Sequence, residues 1–187
     1  MPTVSTNDLK NGMNLDLPGG LMTVVEFQHV KPGKGGAFVR TKLKNFRTGQ
    51  VIDRTFRADE KVEQAIVDKR ESQYLYREGQ SLVFMDTQSY EQTHLDEAAV
   101  AAAVPFLKEG DSAVLAVYQG QVIGVDLPAA VELAVTETEP GIQGDRVSGA
   151  RKPATLETGH VVSVPLFVEV GDVVKVDTRS GEYLTRA

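Results

Sequence analysis

The residues best suited to chemistry lie between Val30 and Phe38, where Lys31-Pro32-Gly33-Lys34-Gly35-Gly36-Ala37 isolates one ammonium among glycines. Pro32 fixes a φ angle at the base of this stretch, while Gly33, Gly35 and Gly36 clear side chains from around Lys34 and permit positive φ. A lone cation on a slender, bare tip suits insertion into a narrow site that backbone must approach closely, and suits a rigid catalytic scaffold poorly. Neither the Gly-x-x-x-x-Gly-Lys-Ser/Thr order of a Walker loop nor Gly-x-Gly-x-x-Gly is present. The bland alternative is an ordinary solvated hairpin lysine.

Other chemistry is thinly supplied. The chain has no cysteine, which removes disulfides, thiolate nucleophiles and Cys-ligated metals and is compatible with a reducing cytosol. His29, His94 and His160 are far apart in sequence without a His-x-x-x-His pair, so a metal site or a catalytic triad is not expected. Glu137 and Glu139 alternate along an expected strand and face solvent. A generic single-strand binder of the OB type would carry aromatic stacking platforms in a basic groove, and the chain has no tryptophan. A plain structural interaction module leaves the glycine-flanked lysine unexplained.

Around this loop the pattern is that of an all-β protein, with short β-branched runs punctuated by Gly, Asn, Asp and Pro. Strands are expected at Leu21 to Phe27, Ala37 to Leu43, Val51 to Phe56, Gln73 to Tyr76, Ser81 to Met85, Ala113 to Tyr118, Val122 to Pro128 and Val173 to Asp177, with His29 to Gly36 as a hairpin loop. In Ala37 to Leu43, alternation puts Phe38, Arg40 and Lys42 on one face and Val39, Thr41 and Leu43 on the other. A single helix is expected over about Asp96 to Val104, acidic in its first turn. Boundaries near residues 64 and 128 give modules 1–64, 65–127 and 128–187, each small enough to lean on its neighbours or on partners. The N-terminus lacks the features of a signal peptide, and the longest apolar run, Ala98 to Val104, is too short to span a bilayer, so a cytoplasmic protein without a membrane partner is expected.

The chain's net charge of −6 argues against a generic polyanion binder, but it conceals a polarity. Residues 1–64 hold 10 basic and 7 acidic side chains, residues 65–127 hold 4 and 10, and residues 128–187 hold 6 and 9. Lys31, Lys34, Arg40, Lys42, Lys44 and Arg47 follow one another with no acid between them. Two readings stand at this point: a local polyanion contact surface, or a solubilising edge-strand face.

Lys31-Pro32-Gly33-Lys34-Gly35 followed by Ala37 to Lys44, and the later hairpin Tyr74-Leu75-Tyr76 with Phe84-Met85-Asp86, resemble the bacterial elongation factor P family. The match continues through Gly144-Asp145, Lys152-Pro153-Ala154-Thr155-Leu156, Thr158-Gly159, Val164-Pro165-Leu166-Phe167 and Val176 to Tyr183. It covers essentially the whole chain.

The resemblance implies an SH3-like (KOW-type) N-terminal barrel followed by two OB-fold barrels in an L-shaped arrangement that mimics transfer RNA. It implies a monomer without catalytic residues or a cofactor, which binds the 70S ribosome between the P and E sites. There it would relieve stalling at consecutive prolines by positioning the P-site peptidyl-tRNA. Initiation factor five A is the eukaryotic and archaeal relative. By the same resemblance Lys34 is the functional loop tip, a target for extension by a modifying enzyme, and Pro32, Gly33, Gly35 and Gly36 shape its loop. Lys31, Arg40, Lys42 and Lys44 would contact transfer RNA or ribosomal RNA. The loop of Gly144, Asp145 and Arg146 would approach the E-site codon, with Arg146 where the family usually has Thr. Tyr183 and Arg186 stand where RNA contact is implied, although Tyr183 also reads as a barrel-packing aromatic.

Overall fold

The structure is a computed structural model that describes residues 2–141 and 149–187. It is built almost entirely from strands. β1 (Thr3–Ser5), β2 (Asn14–Leu17), β3 (Gly20–Val30), β4 (Phe38–Asn45), β5 (Val51–Arg57) and β6 (Lys61–Ala65) form one sheet in the order β1-β6-β2-β3-β4-β5. β7 (Asp68–Glu78), β8 (Ser81–Asp86), β9 (Gln92–Asp96), β10 (Ser112–Tyr118) and β11 (Gln121–Asp126) form a second, ordered β11-β10-β7-β8-β9. β12 (Ala130–Thr138), β13 (Arg151–Leu156), β14 (Val161–Pro165), β15 (Val173–Asp177) and β16 (Tyr183–Arg186) form the third, ordered β14-β13-β12-β15-β16. The all-β expectation of small KOW-like and OB-type barrels is met.

By compactness the chain falls into two units, Met1–Lys69 with Ala116–Gly124, and Arg70–Leu115 with Val125–Ala187. Within the first, Leu15, Val24, Val39, Leu43 and Phe56 are the buried heart of the core. Tyr118 falls in the same unit, its hydroxyl donating to Asp16 Oδ2 at 3.0 Å. At Gly124 a Cβ would lie 2.9 Å from the Phe46 ring, so any side chain there would have to displace that ring. In the second unit, Leu133, Val135, Leu156, Val164, Val174 and Val176 pack with Phe106.

Two expectations are corrected. The helix over Asp96 to Val104 is instead a pair of short 3-10 helices, Glu97–Val100 and Val104–Phe106. An alanine-rich run this short falls well below the roughly 12 residues at which helix nucleation is repaid, so capping and packing decide its form. Asp96 Oδ1 accepts from the Ala98 amide at 2.8 Å, and Phe106 is buried in the core. The loop after β3 is also shorter than expected, because His29 and Val30 remain in the ladder opposite Val39 and Phe38.

One hairpin design is built three times. Asn45, Asp86 and Asp177 each end a strand, at the connections β4–β5, β8–β9 and β15–β16. Each side-chain Oδ1 accepts two backbone amides, those of Arg47 and Thr48, of Gln88 and Ser89, and of Arg179 and Ser180, at 2.7–3.0 Å. A hydroxyl at the fourth position accepts from the amide at the sixth in all three. The fifth residue is left-handed, with φ of 71° at Gly49, 61° at Tyr90 and 74° at Gly181. The paired amides favour the charged forms of Asp86 and Asp177 and hold both carboxyls below their ordinary range.

Candidate functional site

Lys34 sits on the connection between the two strands of a long antiparallel ladder, running from Met22 opposite Asn45 to Val30 opposite Phe38. Hydrophobic alternation holds the ladder down: Val39, Thr41 and Leu43 of β4 point into the core, and Thr41 Oγ1 donates to the Arg54 carbonyl at 2.7 Å. Lys31, Pro32, Gly33, Lys34, Gly35 and Gly36 are all exposed. Gly35 has φ of 122°, a conformation that side chains resist, so the fold itself asks for glycine there. Gly33 and Gly36 are different: neither has positive φ, and a Cβ on either would meet open space. Their lack of side chains serves bareness rather than the fold.

Below the loop, the outward face of β4 carries Phe38, Arg40, Lys42 and Lys44 in line. The register sorts these cations. Lys42 stands opposite Glu26 of β3 and Asp53 of β5, and its Nζ is 3.0 Å from Glu26 Oε2. The hydrogen bond and charge of Glu26 push the Lys42 ammonium above its usual pKa. Arg40 stands instead between Gln28 and Thr55, with its guanidinium 5.6 Å from the centre of the Phe38 ring. Lys44 lies opposite Thr23 and Val51. Among the described residues, Lys31, Lys34, Arg40 and Lys44 have no ion-pair partner. The acid-free run of cations in the sequence is thus interrupted in space, and the signal that would have revealed it was hairpin register rather than composition. A groove of about 430 Å³ on this sheet is lined by Glu26, Gln28, Arg40, Lys42, Asp53 and Thr55 among others.

The remaining site residues lie in the second unit or outside the description. Tyr183 is half-buried and packs against the core, and Arg186 lies 5.4 Å over the Phe167 ring and 3.8 Å from Asp172. Gly144, Asp145 and Arg146 lie outside the described residues. Lys152, from one of the motifs above, is buried and donates from Nζ to the Glu139 carbonyl, a structural use of a charged residue. The histidines are dispersed: His29 meets the Phe27 ring edge-on, His94 lies 3.2 Å from Glu78, and His160 Nε2 is 3.0 Å from the Gly181 carbonyl oxygen. Among the described residues no His, Asp and Glu cluster is placed to hold a metal ion.

One solved structure with which the chain aligns is that of eukaryotic translation initiation factor 5A from Methanococcus jannaschii, at 28% identity and a TM-score of 0.51 over 64% of this chain and 89% of that one. An initiation factor 5A family protein from Naegleria fowleri shares the fold at 16% identity, with a TM-score of 0.53 over 67% of this chain and 98% of that one. Three family models then match in succession: the elongation factor P KOW-like domain at residues 5–62, its OB domain at 67–125 and its C-terminal domain at 131–186. Elongation factor P of Acidothermus cellulolyticus is 63% identical, with 98% of each chain covered, and that of Streptomyces coelicolor is 59% identical, with 97% of each covered. The chain belongs to the elongation factor P family of translation factors.

Proposed function

We propose that this translation factor binds the 70S ribosome between the P and E sites and promotes peptide-bond formation at consecutive prolines. It acts through the Lys34 loop on the P-site peptidyl-tRNA, with its modules bounded near residues 64 and 128. The observation that carries this reading is the loop itself: an exposed, unpaired ammonium among glycines, two of which the fold does not require. Proline restricts the geometry of peptide transfer, so a factor that holds the P-site substrate in a reactive pose supplies orientation without an acid, base or nucleophile of its own. Lys34 would contact the phosphates and riboses at the end of the transfer RNA, and a modifying enzyme could lengthen its reach. Arg40, free of a carboxylate partner, and Lys44 would hold RNA backbone, while Lys42 contributes less because Glu26 and Asp53 offset its charge.

Co-sedimentation with purified ribosomes over a salt series tests this reading. Affinity should fall steadily as salt rises, and Arg40→Glu should weaken binding about ten-fold at a fixed low salt, more than Lys42→Glu does. A flat salt response, or equal effects of the two substitutions, would count against phosphate contact through the unpaired cations.

A further inference from the structure

The Lys34 loop leaves the ladder at its last pair, Val30 opposite Phe38, and the residues that follow Val30 are exposed and rich in glycine. Such a segment deforms easily, so precision at its tip has to be imposed at its root. One backbone bond beyond the ladder does this on the descending arm. The Ala58 amide donates to the Ala37 carbonyl at 3.0 Å, which ties the end of the loop to the turn between β5 and β6. That turn faces both arms: Ala58 and Asp59 share a cleft of about 460 Å³ with Val30 and Lys31 on one side of the loop and Ala37 and Phe38 on the other.

The turn is itself held by the N-terminal segment. Thr6, fully buried in the short 3-10 turn Thr6–Asp8, grips it at two points, its amide donating to the Glu60 carbonyl at 2.9 Å and its hydroxyl to the Arg57 carbonyl at 2.7 Å. Leu9, buried in the core, fastens that segment. At the crown of the turn Asp59 is left-handed, with φ of 62°, a conformation that Asp tolerates better than most residues and that glycine adopts freely. Among the described residues its carboxylate has one partner, the side-chain amide of Asn7, whose Nδ2 donates to Asp59 Oδ1. Both side chains are exposed, so burial accounts for neither of them. A charge-assisted bond at this point fixes the crown of the turn and, through Ala58, the descending arm of the loop. We infer that Asn7 and Asp59 are positioning residues for Lys34, setting the direction in which the loop presents its tip to the P-site substrate.

This inference rests on the function proposed above, and its test separates the two. Full-length Asn7→Ala, Asp59→Gly and Asp59→Asn are compared with the parent in thermal unfolding, in hydrogen exchange of the Ala58 amide, and in single-turnover peptide-bond formation at a Pro-Pro step over a range of factor concentrations. Asn7→Ala removes the donor, Asp59→Gly removes the acceptor while suiting the left-handed backbone, and Asp59→Asn keeps an acceptor oxygen without the charge. The first two should melt within about 4 °C of the parent, exchange the Ala58 amide faster and lose about five-fold in rate at saturation, with the half-saturating concentration within about two-fold. Asp59→Asn should hold the saturating rate within about two-fold of the parent. Parental rates or parental Ala58 exchange in the first two, an effect on half-saturation alone, a larger fall in melting temperature, or failure of Asp59→Asn to preserve the rate would each overturn the positioning role while leaving the function standing. A parent chain that does not accelerate the Pro-Pro step would overturn the function and the inference with it.

Discussion

Replacement of Lys34 by alanine is expected to abolish relief of stalling at consecutive prolines in a reconstituted translation reporter while leaving the fold intact. The structural half of this expectation follows from exposure. The side chain lies on a connection outside the core, so its removal should shift stability by no more than about 0.5 kcal/mol, the usual range for surface substitutions. The functional half follows from isolation. Glycines at 33, 35 and 36 leave no neighbouring side chain on the tip to take over, and Lys31 stands on the other side of Pro32. Stalling relief by the variant at the parent's level, with parental thermal stability, would remove Lys34 from the mechanism. Intact mass of the protein from its native source, with sequencing of the Lys34 peptide, would show whether the acting group is lysine or a longer cation.

The complementary expectation is a large loss of stability from the opposite face of the same hairpin. Leu43 is fully buried on β4, opposite Val24 of β3's stretch of core and Ile52 of β5. Leu43→Ala removes buried methyls and leaves a cavity, at a cost of about 2–5 kcal/mol. Against a total of about 5–15 kcal/mol for an ordinary domain, that is enough to loosen the strand that carries Arg40 and Lys44. The chain has no tryptophan, so urea unfolding is best followed by far-ultraviolet circular dichroism. A substantial drop in the midpoint is expected, and an unchanged midpoint would mean that β4 is not held by this core.

Leu43 and Lys34 are both legible in the sequence. Alternation in Ala37 to Leu43 places Leu43 inside and Arg40 outside, and both stand there, because a half-buried strand has a strict period of two. The glycine-flanked lysine is equally plain, since its meaning lies in local side-chain absence. Pairing across strands is less legible. Glu26 and Asp53 reach Lys42 only through the register, which shifts between Val24 and Glu26 at a bulge that no single strand's sequence announces. The 3-10 pair after Asp96 has the same origin, since burial of Phe106 rather than intrinsic propensity sets the path of that segment. The threefold hairpin was half visible. Thr48-Gly49 and Ser180-Gly181 signal their turns through glycine, whereas the copy at Asp86 hides behind Tyr90 and shows itself only in its hydrogen bonds.

Charge follows the same division between sequence and space. The net value of −6 belongs to no single segment, since the basic excess stays in the first 64 residues while residues 65–127 and 128–187 are both acidic.

On the proposed function, a bound, non-reacting factor accelerates a slow peptide bond. Its most direct test is the single-turnover rate of peptide-bond formation on purified ribosomes programmed for a Pro-Pro step, measured with and without the protein beside a matched step that lacks proline. A rate increase of about an order of magnitude or more is expected at the Pro-Pro step, within the range that orientation can supply, with little change at the control. Equal rates with and without the protein at the Pro-Pro step, under conditions where co-sedimentation shows it bound, would contradict it.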